Sequence, residues 1–162
     1  MREGYCIWIT GLSASGKTTT AKRLVDLFHQ NQRPVIFFDG DQLRQALDIK
    51  AYGRGERFQL GMKYAKLVKL LTDQGHTVVI AVIGLFHDLH KWNRSNIKNY
   101  FEVFLDVPIE ELRKRDPKGI YEAYYKGEVQ NVAGLDLQAE YPLAPDLHVK
   151  YQKNTAANTV AK

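Results

Sequence analysis

The chain has 162 residues, of which 44% are hydrophobic and 25% are charged. These values are typical of globular proteins, so they exclude a disordered or fibrous chain and predict a single domain over residues 1–152. The net charge of +5 is not arranged as a basic stripe along any predicted helix, which favours a polyanionic small molecule over nucleic acid or a membrane as the partner.

Apolar runs alternate with helical periodicity from the N-terminus onward. Residues 5–10, YCIWIT, form a continuously apolar run that ends at a glycine, which is typical of a buried parallel strand. Further strands are predicted at 35–38, 77–83, 100–107 and 147–149, and helices after Gly16, over 56–74, over 89–98 and after Pro108. This alternation predicts an α/β protein in three layers, with a parallel sheet flanked by helices.

Cys6 lies in the first predicted strand and is the single cysteine of the chain. An intramolecular disulfide is therefore excluded, and a reducing compartment is indicated. No stretch approaches the ~18 apolar residues that a membrane-spanning helix needs. We expect a cytoplasmic protein in which Cys6 is a small core residue.

Residues 11–18, GLSASGKT, match the phosphate-binding pattern GxxxxGK[ST] between a predicted strand and a predicted helix. The glycines let backbone N–H groups converge on phosphates, and the helix N-terminus adds a favourable dipole. Lys17 would follow the β- and γ-phosphate oxygens, and Thr18 would bind Mg²⁺. We therefore predict a P-loop NTPase fold with ATP and Mg²⁺ as cofactors. The predicted ATP-binding residues here are Gly11, Ser13, Ala14, Ser15, Gly16, Lys17, Thr18 and Thr19.

Two carboxylates, Asp39 and Asp41, follow the predicted strand at 35–38. They lie at its carboxyl end, where open parallel sheets place their ligand crevice. Both are predicted to be catalytic, because one turn with two carboxylates could orient an acceptor hydroxyl and hold the water shell of the metal. Asp39 is also a predicted metal residue. The alternative is that they form a helix N-cap and a turn, and both interpretations can hold together.

The segment 113–137 is rich in glycine, tyrosine and basic residues, and we interpret it as an ordered lid over a nucleotide. Residues 153–162 are predicted to be a weakly ordered tail. His87 and His90 could form a metal pair, but no second cluster completes a coordination set, so we favour an acceptor contact for them. The basic residues assigned to the lid are Arg113, Lys114, Arg115, Lys118 and Lys126.

Four blocks, GLSASGKT, DGDQLR at 39–44, RDPKGIY at 115–121 and GLD at 134–136, occur in the order found in adenylylsulfate kinases, which the chain resembles from Tyr5 to about Leu147. The resemblance implies phosphorylation of a nucleotide 3′-hydroxyl by ATP, with Arg115 at the ATP and Asp41 and Arg44 at the acceptor. Arg57 matches an acceptor-binding arginine of the family. Tyr52 stands where a base-stacking phenylalanine is usual. A homodimer would follow by family analogy.

Departures from the family pattern cluster on the acceptor side. Leu60 replaces an asparagine, Ala123 replaces a lid lysine, and Ile83-Gly84-Leu85-Phe86 replaces I-S-P-[FY]. Val132 replaces the phenylalanine of F-T-G, which removes one of two aromatic faces for adenine. We therefore expect an intact ATP site facing an altered acceptor site that includes Ile83, Gly84, Leu85 and Val132.

Two acceptors remain open from the sequence. Residues 86–94 resemble a branch of the family that acts on cytidine diphosphoramidate in capsular polysaccharide modification, and a smaller pyrimidine suits Val132. Adenylylsulfate, the acceptor in sulfate assimilation, is the alternative. A nucleotide-binding switch or regulatory module without an acceptor is the competing class, since it needs only the phosphate loop and moving segments.

Overall fold

The computed structural model describes residues 3–153. In this part of the chain, five strands form one parallel sheet in the order β2-β3-β1-β4-β5. Apolar β-branched and aromatic residues dominate the central strands, as expected for a sheet that is covered on both faces. The strands are β1 (Cys6–Thr10), β2 (Ile36–Asp39), β3 (Val78–Ala81), β4 (Tyr100–Asp106) and β5 (Leu147–Lys150).

Over residues 3–153, six helices connect or follow these strands, and the α/β class predicted from the sequence is confirmed. Strand β3 ends at Ala81 rather than at the predicted residue 83, because the chain leaves the sheet and turns through Gly84, whose φ is 46°. The helices are α1 (Lys17–Gln30), α2 (Gly40–Ala46), α3 (Arg54–Asp73), α4 (His87–Asn96), α5 (Ile109–Arg115) and α6 (Ile120–Tyr125).

Alternate residues of the strands supply two separate cores, one on each face of the sheet. Cys6 and Trp8 of β1 pack with Val68 of α3 and Leu89 of α4 on one face. Ile9 packs on the other face in a cluster that includes residues of α1. Cys6 is fully buried, as expected. Helices therefore cover both faces, as the alternation of elements predicts.

The segment 113–137 packs over the loop that follows β1. Tyr121 of α6 is buried in a third apolar cluster with Leu12, Leu112 and Val132. Its hydroxyl also donates a hydrogen bond of 2.8 Å to the carbonyl of Ser13. These contacts hold α6 against the phosphate loop.

Two predictions concern the ends of the chain. The predicted tail, 153–162, lies outside the described residues except for Lys153, and the single domain over 1–152 stays a prediction. Between residues 3 and 153, the structure contains no helix that is both long and apolar enough to cross a membrane.

Candidate functional site

A cavity of about 830 Å³ opens at the carboxyl ends of the central strands. The loops that follow β1, β2 and β3 line one part of it, and α3, residues 115–120 of the lid and the segment 129–139 also contribute to its walls. Parallel sheets place ligands at this edge because successive loops diverge there. The fold therefore brings the phosphate loop, both predicted carboxylates and the lid together around one space.

The phosphate loop has the backbone that its sequence predicts. A Cβ at Gly11 would lie 2.6 Å from Ser15 Oγ and 2.7 Å from the carbonyl oxygen of Leu105, so a larger residue cannot fit. Gly16 has a left-handed φ of 96° immediately before α1. Two residues of this loop, Gly11 and Ser15, are buried and do not line the cavity. The predicted residues that line the cavity are Ser13, Ala14, Gly16, Lys17, Thr18 and Thr19.

Lys17 lies half-buried at the start of α1, with its side chain directed back over the loop. Its Nζ donates a hydrogen bond of 2.6 Å to the carbonyl of Leu12. The pKa of this ammonium group is lowered to about 8, mainly by burial and then by the nearby charge of Lys118, while Asp41 and Asp39 oppose the shift. An anion that enters the cavity would reverse this shift, because it favours the charged amine.

Asp39 is buried at the end of β2, and each of its carboxylate oxygens has a separate contact. Oδ2 accepts a hydrogen bond of 2.6 Å from the hydroxyl of Thr18. Oδ1 caps α2 by accepting from the backbone N–H groups of Asp41 at 3.0 Å and Gln42 at 3.3 Å. The N-cap alternative is thus correct, and the same side chain also presents hard oxygen donors of the kind that Mg²⁺ prefers.

Asp41 lies on the exposed face of α2 and forms an ion pair with Lys118 of the lid. Of the predicted lid cations, Arg115 and Lys118 line the cavity. Arg113, Lys114 and Lys126 instead line a separate surface cleft, where the guanidinium of Arg113 lies 4.0 Å from the centre of the Tyr125 ring. Of the five basic residues assigned to the lid, two therefore face the cavity and three do not. Arg113, Lys114 and Lys126 line the separate cleft because α5 and the end of α6 present them on the side of the lid that faces away from the cavity.

The predicted acceptor residues converge on the other half of the cavity. Arg57 joins two of its walls, because Nε donates to the carbonyl of Tyr52 and Nη2 to the carbonyl of Asn131, each at 2.9 Å. Asp136 fixes the second wall by accepting from the N–H groups of Asn131 at 2.8 Å and Val132 at 2.7 Å. The predicted residues that line this half are Asp41, Arg44, Tyr52, Arg57, Ile83, Gly84, Leu85 and Val132.

His87 and His90 do not line this cavity, so the acceptor contact expected for them is not found. His90 is buried on the inner face of α4, and its Nε2 lies 2.8 Å from the carbonyl of Gly84. His87 Nε2 lies 2.9 Å from the carbonyl of Tyr141. Over residues 3–153, no group of three or more His, Cys, Asp or Glu side chains could hold a metal.

Sequence reasoning misses three features of the site. The contacts of Lys118 with Asp41 and of Arg57 with Asn131 join residues far apart in the chain, so no local pattern indicates them. Tyr64 also lines the cavity. It belongs to the helical periodicity of α3, which predicts a core residue rather than a site residue.

The comparisons with known proteins agree with this geometry. The family model described as adenylylsulphate kinase matches residues 3–150. A cytidine diphosphoramidate kinase of Campylobacter jejuni is 39% identical over 140 residues, which cover 86% of this chain and 82% of the relative. An adenylyl-sulfate kinase of Clostridium acetobutylicum is 34% identical over an alignment of 164 positions that covers 98% of this chain and 80% of the relative.

A solved structure shares the fold closely. The APS kinase of Mycobacterium tuberculosis in complex with AMPPNP and APS superposes with a TM-score of 0.91 at 28% identity, and the match covers 99% of this chain and 95% of that one.

Proposed function

The chain belongs to the adenylylsulfate kinase family, and we propose that it transfers the γ-phosphoryl group of Mg·ATP to the ribose 3′-hydroxyl of cytidine diphosphoramidate. Membership of this family makes it an ATP-dependent kinase, and the regulatory switch is not favoured. The choice of acceptor, the role of each site residue, a cytoplasmic location and a homodimer are our proposals.

The donor half of the cavity supports binding of Mg·ATP. The amides of the loop at 11–18 would hold the phosphates, and Lys17 would place its charge on the β- and γ-oxygens. Thr18 donates its proton to Asp39, so the lone pairs of its oxygen stay free for Mg²⁺, and Asp39 would hold water in the metal shell. Bound there, Mg²⁺ would neutralise charge on the phosphates. Arg115 of the lid would cover the nucleotide.

The acceptor half supports transfer to a sugar hydroxyl. Asp41 would accept the proton of the 3′-hydroxyl as its oxygen attacks the γ-phosphorus and the bond to the β,γ-bridging oxygen of ATP breaks. Lys118, released from Asp41, would lie near the phosphoryl group in transfer. Arg44 and Arg57 would balance the anionic end of the acceptor.

The observation that carries the choice of cytidine is the base slot. Tyr52 supplies an aromatic face, whereas the wall that Arg57 joins to it contains the aliphatic Val132, whose N–H group is held by Asp136. A pyrimidine offers less ring surface to cover than adenine does. The relative named cytidine diphosphoramidate kinase also has higher identity, 39%, than the adenylyl-sulfate kinase cited above, 34%. Those adenylyl-sulfate kinase relatives make adenylylsulfate the second candidate acceptor.

ADP release with each acceptor tests this proposal. We expect acceptor-dependent ADP with cytidine diphosphoramidate at a kcat/KM well above that with adenylylsulfate, and release at least about 100-fold slower with the Asp41→Asn variant. Strong turnover of adenylylsulfate alone would reject the pyrimidine acceptor. Nucleotide binding without any acceptor-dependent ADP would reject the transfer itself. Gel filtration with light scattering tests the homodimer.

A further inference from the structure

Helix α3 contributes a wall to the acceptor half of the cavity. Arg57, Leu60, Gly61 and Tyr64 all line it. Their spacing places them on one face of the helix over two turns. Arg57 and Tyr64 are the polar members of this wall, and the apolar Leu60 and Gly61 lie between them.

The two polar side chains differ in whether their hydrogen-bonding groups are satisfied. Arg57 already uses Nε and Nη2 on the carbonyls of Tyr52 and Asn131. Tyr64 is only 5% exposed, and among the described residues its hydroxyl makes no hydrogen bond of ordinary geometry, although the side chain of Arg44 is close enough to interact with it. Buried hydroxyl groups are almost always paired, and an unpaired one is costly. Its position in the cavity wall indicates that a ligand supplies the partner.

The surroundings of this hydroxyl identify which ligand it meets. Tyr64 lines the same cavity as Asp41 and Arg44 of α2. Burial raises the pKa of Tyr64, so the phenol is neutral.

We propose that the Tyr64 hydroxyl is a specificity-determining contact for the phosphoramidate end of the acceptor. Arginine and lysine can only donate hydrogen bonds, so the amino group on phosphorus would find no acceptor atom on Arg44 or Arg57. A phenol oxygen accepts as well as donates. Tyr64 accepts a hydrogen bond from the amino group and donates its own proton to a neighbouring phosphate oxygen. This inference rests on the proposed acceptor.

The Tyr64→Phe variant tests the proposal, because it removes only the hydroxyl. We expect the KM for cytidine diphosphoramidate to rise about tenfold or more, which is the scale of one lost substrate hydrogen bond. The KM for ATP stays unchanged. The melting temperature stays the same or rises, because the hydroxyl makes no hydrogen bond of ordinary geometry with the described residues.

A matched control is Tyr100→Phe, which removes a buried hydroxyl outside the cavity. Tyr100 bonds Glu102 at 2.5 Å, so this control is expected to lower the melting temperature and leave the acceptor KM unchanged. An unchanged acceptor KM in Tyr64→Phe would overturn the proposal.

The test also separates this inference from the proposed function. If the wild-type enzyme uses adenylylsulfate alone, the proposed acceptor fails, and the assignment of Tyr64 to an amino group fails with it. The variant is then assayed with adenylylsulfate. A raised KM would keep Tyr64 as an acceptor contact, and an unchanged one would overturn that as well.

Discussion

The hydroxyl of Thr18 donates a hydrogen bond of 2.6 Å to Oδ2 of Asp39, and this contact joins the first turn of α1 to the end of β2. The two residues come from separate strand–helix units that are adjacent only because β1 and β2 both flank β3. The same carboxylate caps α2 through its other oxygen. One buried side chain thus fixes the metal-facing hydroxyl and the helix that presents Asp41.

Substitutions of Asp39 separate its two roles. Asparagine is as good an N-cap as aspartate, so Asp39→Asn is expected to change the free energy of unfolding by less than about 1 kcal/mol. Its kcat is expected to fall about 100-fold, because a neutral amide supports Mg²⁺ poorly. Asp39→Ala should lose both activity and about 1 kcal/mol of stability. Steady-state kinetics and urea unfolding measure the two effects, and full activity in Asp39→Asn would contradict the metal role.

Nucleotide affinity is expected to fall as the pH rises above about 8. Free Lys17 has a pKa lowered to about 8, whereas bound phosphates stabilise its charged form and raise that pKa. Below pH 8 the amine is protonated in both states, and above it binding must take up a proton. The Kd for AMPPNP should therefore rise by up to about tenfold per pH unit.

Calorimetry in buffers of different ionisation enthalpy measures this proton uptake directly. Lys17→Arg is the matched control, because arginine stays protonated over the whole range. Its affinity should not vary between pH 7 and 9.5. If the wild-type Kd also did not vary between pH 7 and 9.5, Lys17 would already be charged in the free protein over this range, and the prediction would be wrong.

Asp41 is expected to matter for catalysis and little for stability. Its ion pair with Lys118 is exposed on both sides, and such pairs contribute about 0–1 kcal/mol. Asp41→Asn should lower kcat at least about 100-fold through loss of the proton acceptor. The Kd for ATP should change little. Stopped-flow or quench assays of a single turnover separate the chemical step from binding, and a normal chemical rate would exclude Asp41 as the base.

Arg57 is expected to help bind the acceptor both by its charge and by joining two walls of the cavity. The Arg57→Lys variant would keep the positive charge, but an ammonium group cannot span the carbonyls of Tyr52 and Asn131 as a planar fork does. The KM for the acceptor should therefore rise about tenfold or more in Arg57→Lys, with an unchanged KM for ATP. If geometry is the main contribution and charge is not, the acceptor KM of Arg57→Ala should be at most a few-fold higher than that of Arg57→Lys. Recovery of the wild-type KM in Arg57→Lys would instead identify charge as the main contribution.

Local patterns in the sequence predicted the features that depend on neighbouring residues. The apolar run 5–10, the glycines at 11 and 16 and the periodicity of α3 each specify their own backbone, so the strands, the phosphate loop and the main helices follow from them. Because parallel sheets bind ligands at the carboxyl ends of their strands, Asp39 and Asp41 were then predicted to lie beside the phosphate loop.

Contacts between distant segments could not be predicted in this way. The pairing of Lys118 with Asp41 depends on how α6 packs on the third apolar cluster, which no local pattern encodes. The direction of Arg113 away from the cavity depends on the exposed aromatic ring of Tyr125. That the hydroxyl of Tyr64 makes no hydrogen bond of ordinary geometry with the described residues is visible only once every neighbour has been placed.

A competition assay tests the central claim most directly. Wild-type enzyme receives Mg·ATP with equal concentrations of cytidine diphosphoramidate and adenylylsulfate, and the phosphorylated products are separated and quantified. Their initial ratio equals the ratio of the two kcat/KM values, so it reports discrimination in the transition state. We predict at least about a tenfold excess of the cytidine product, phosphorylated at the 3′-position. A predominance of the adenylylsulfate product would contradict the account.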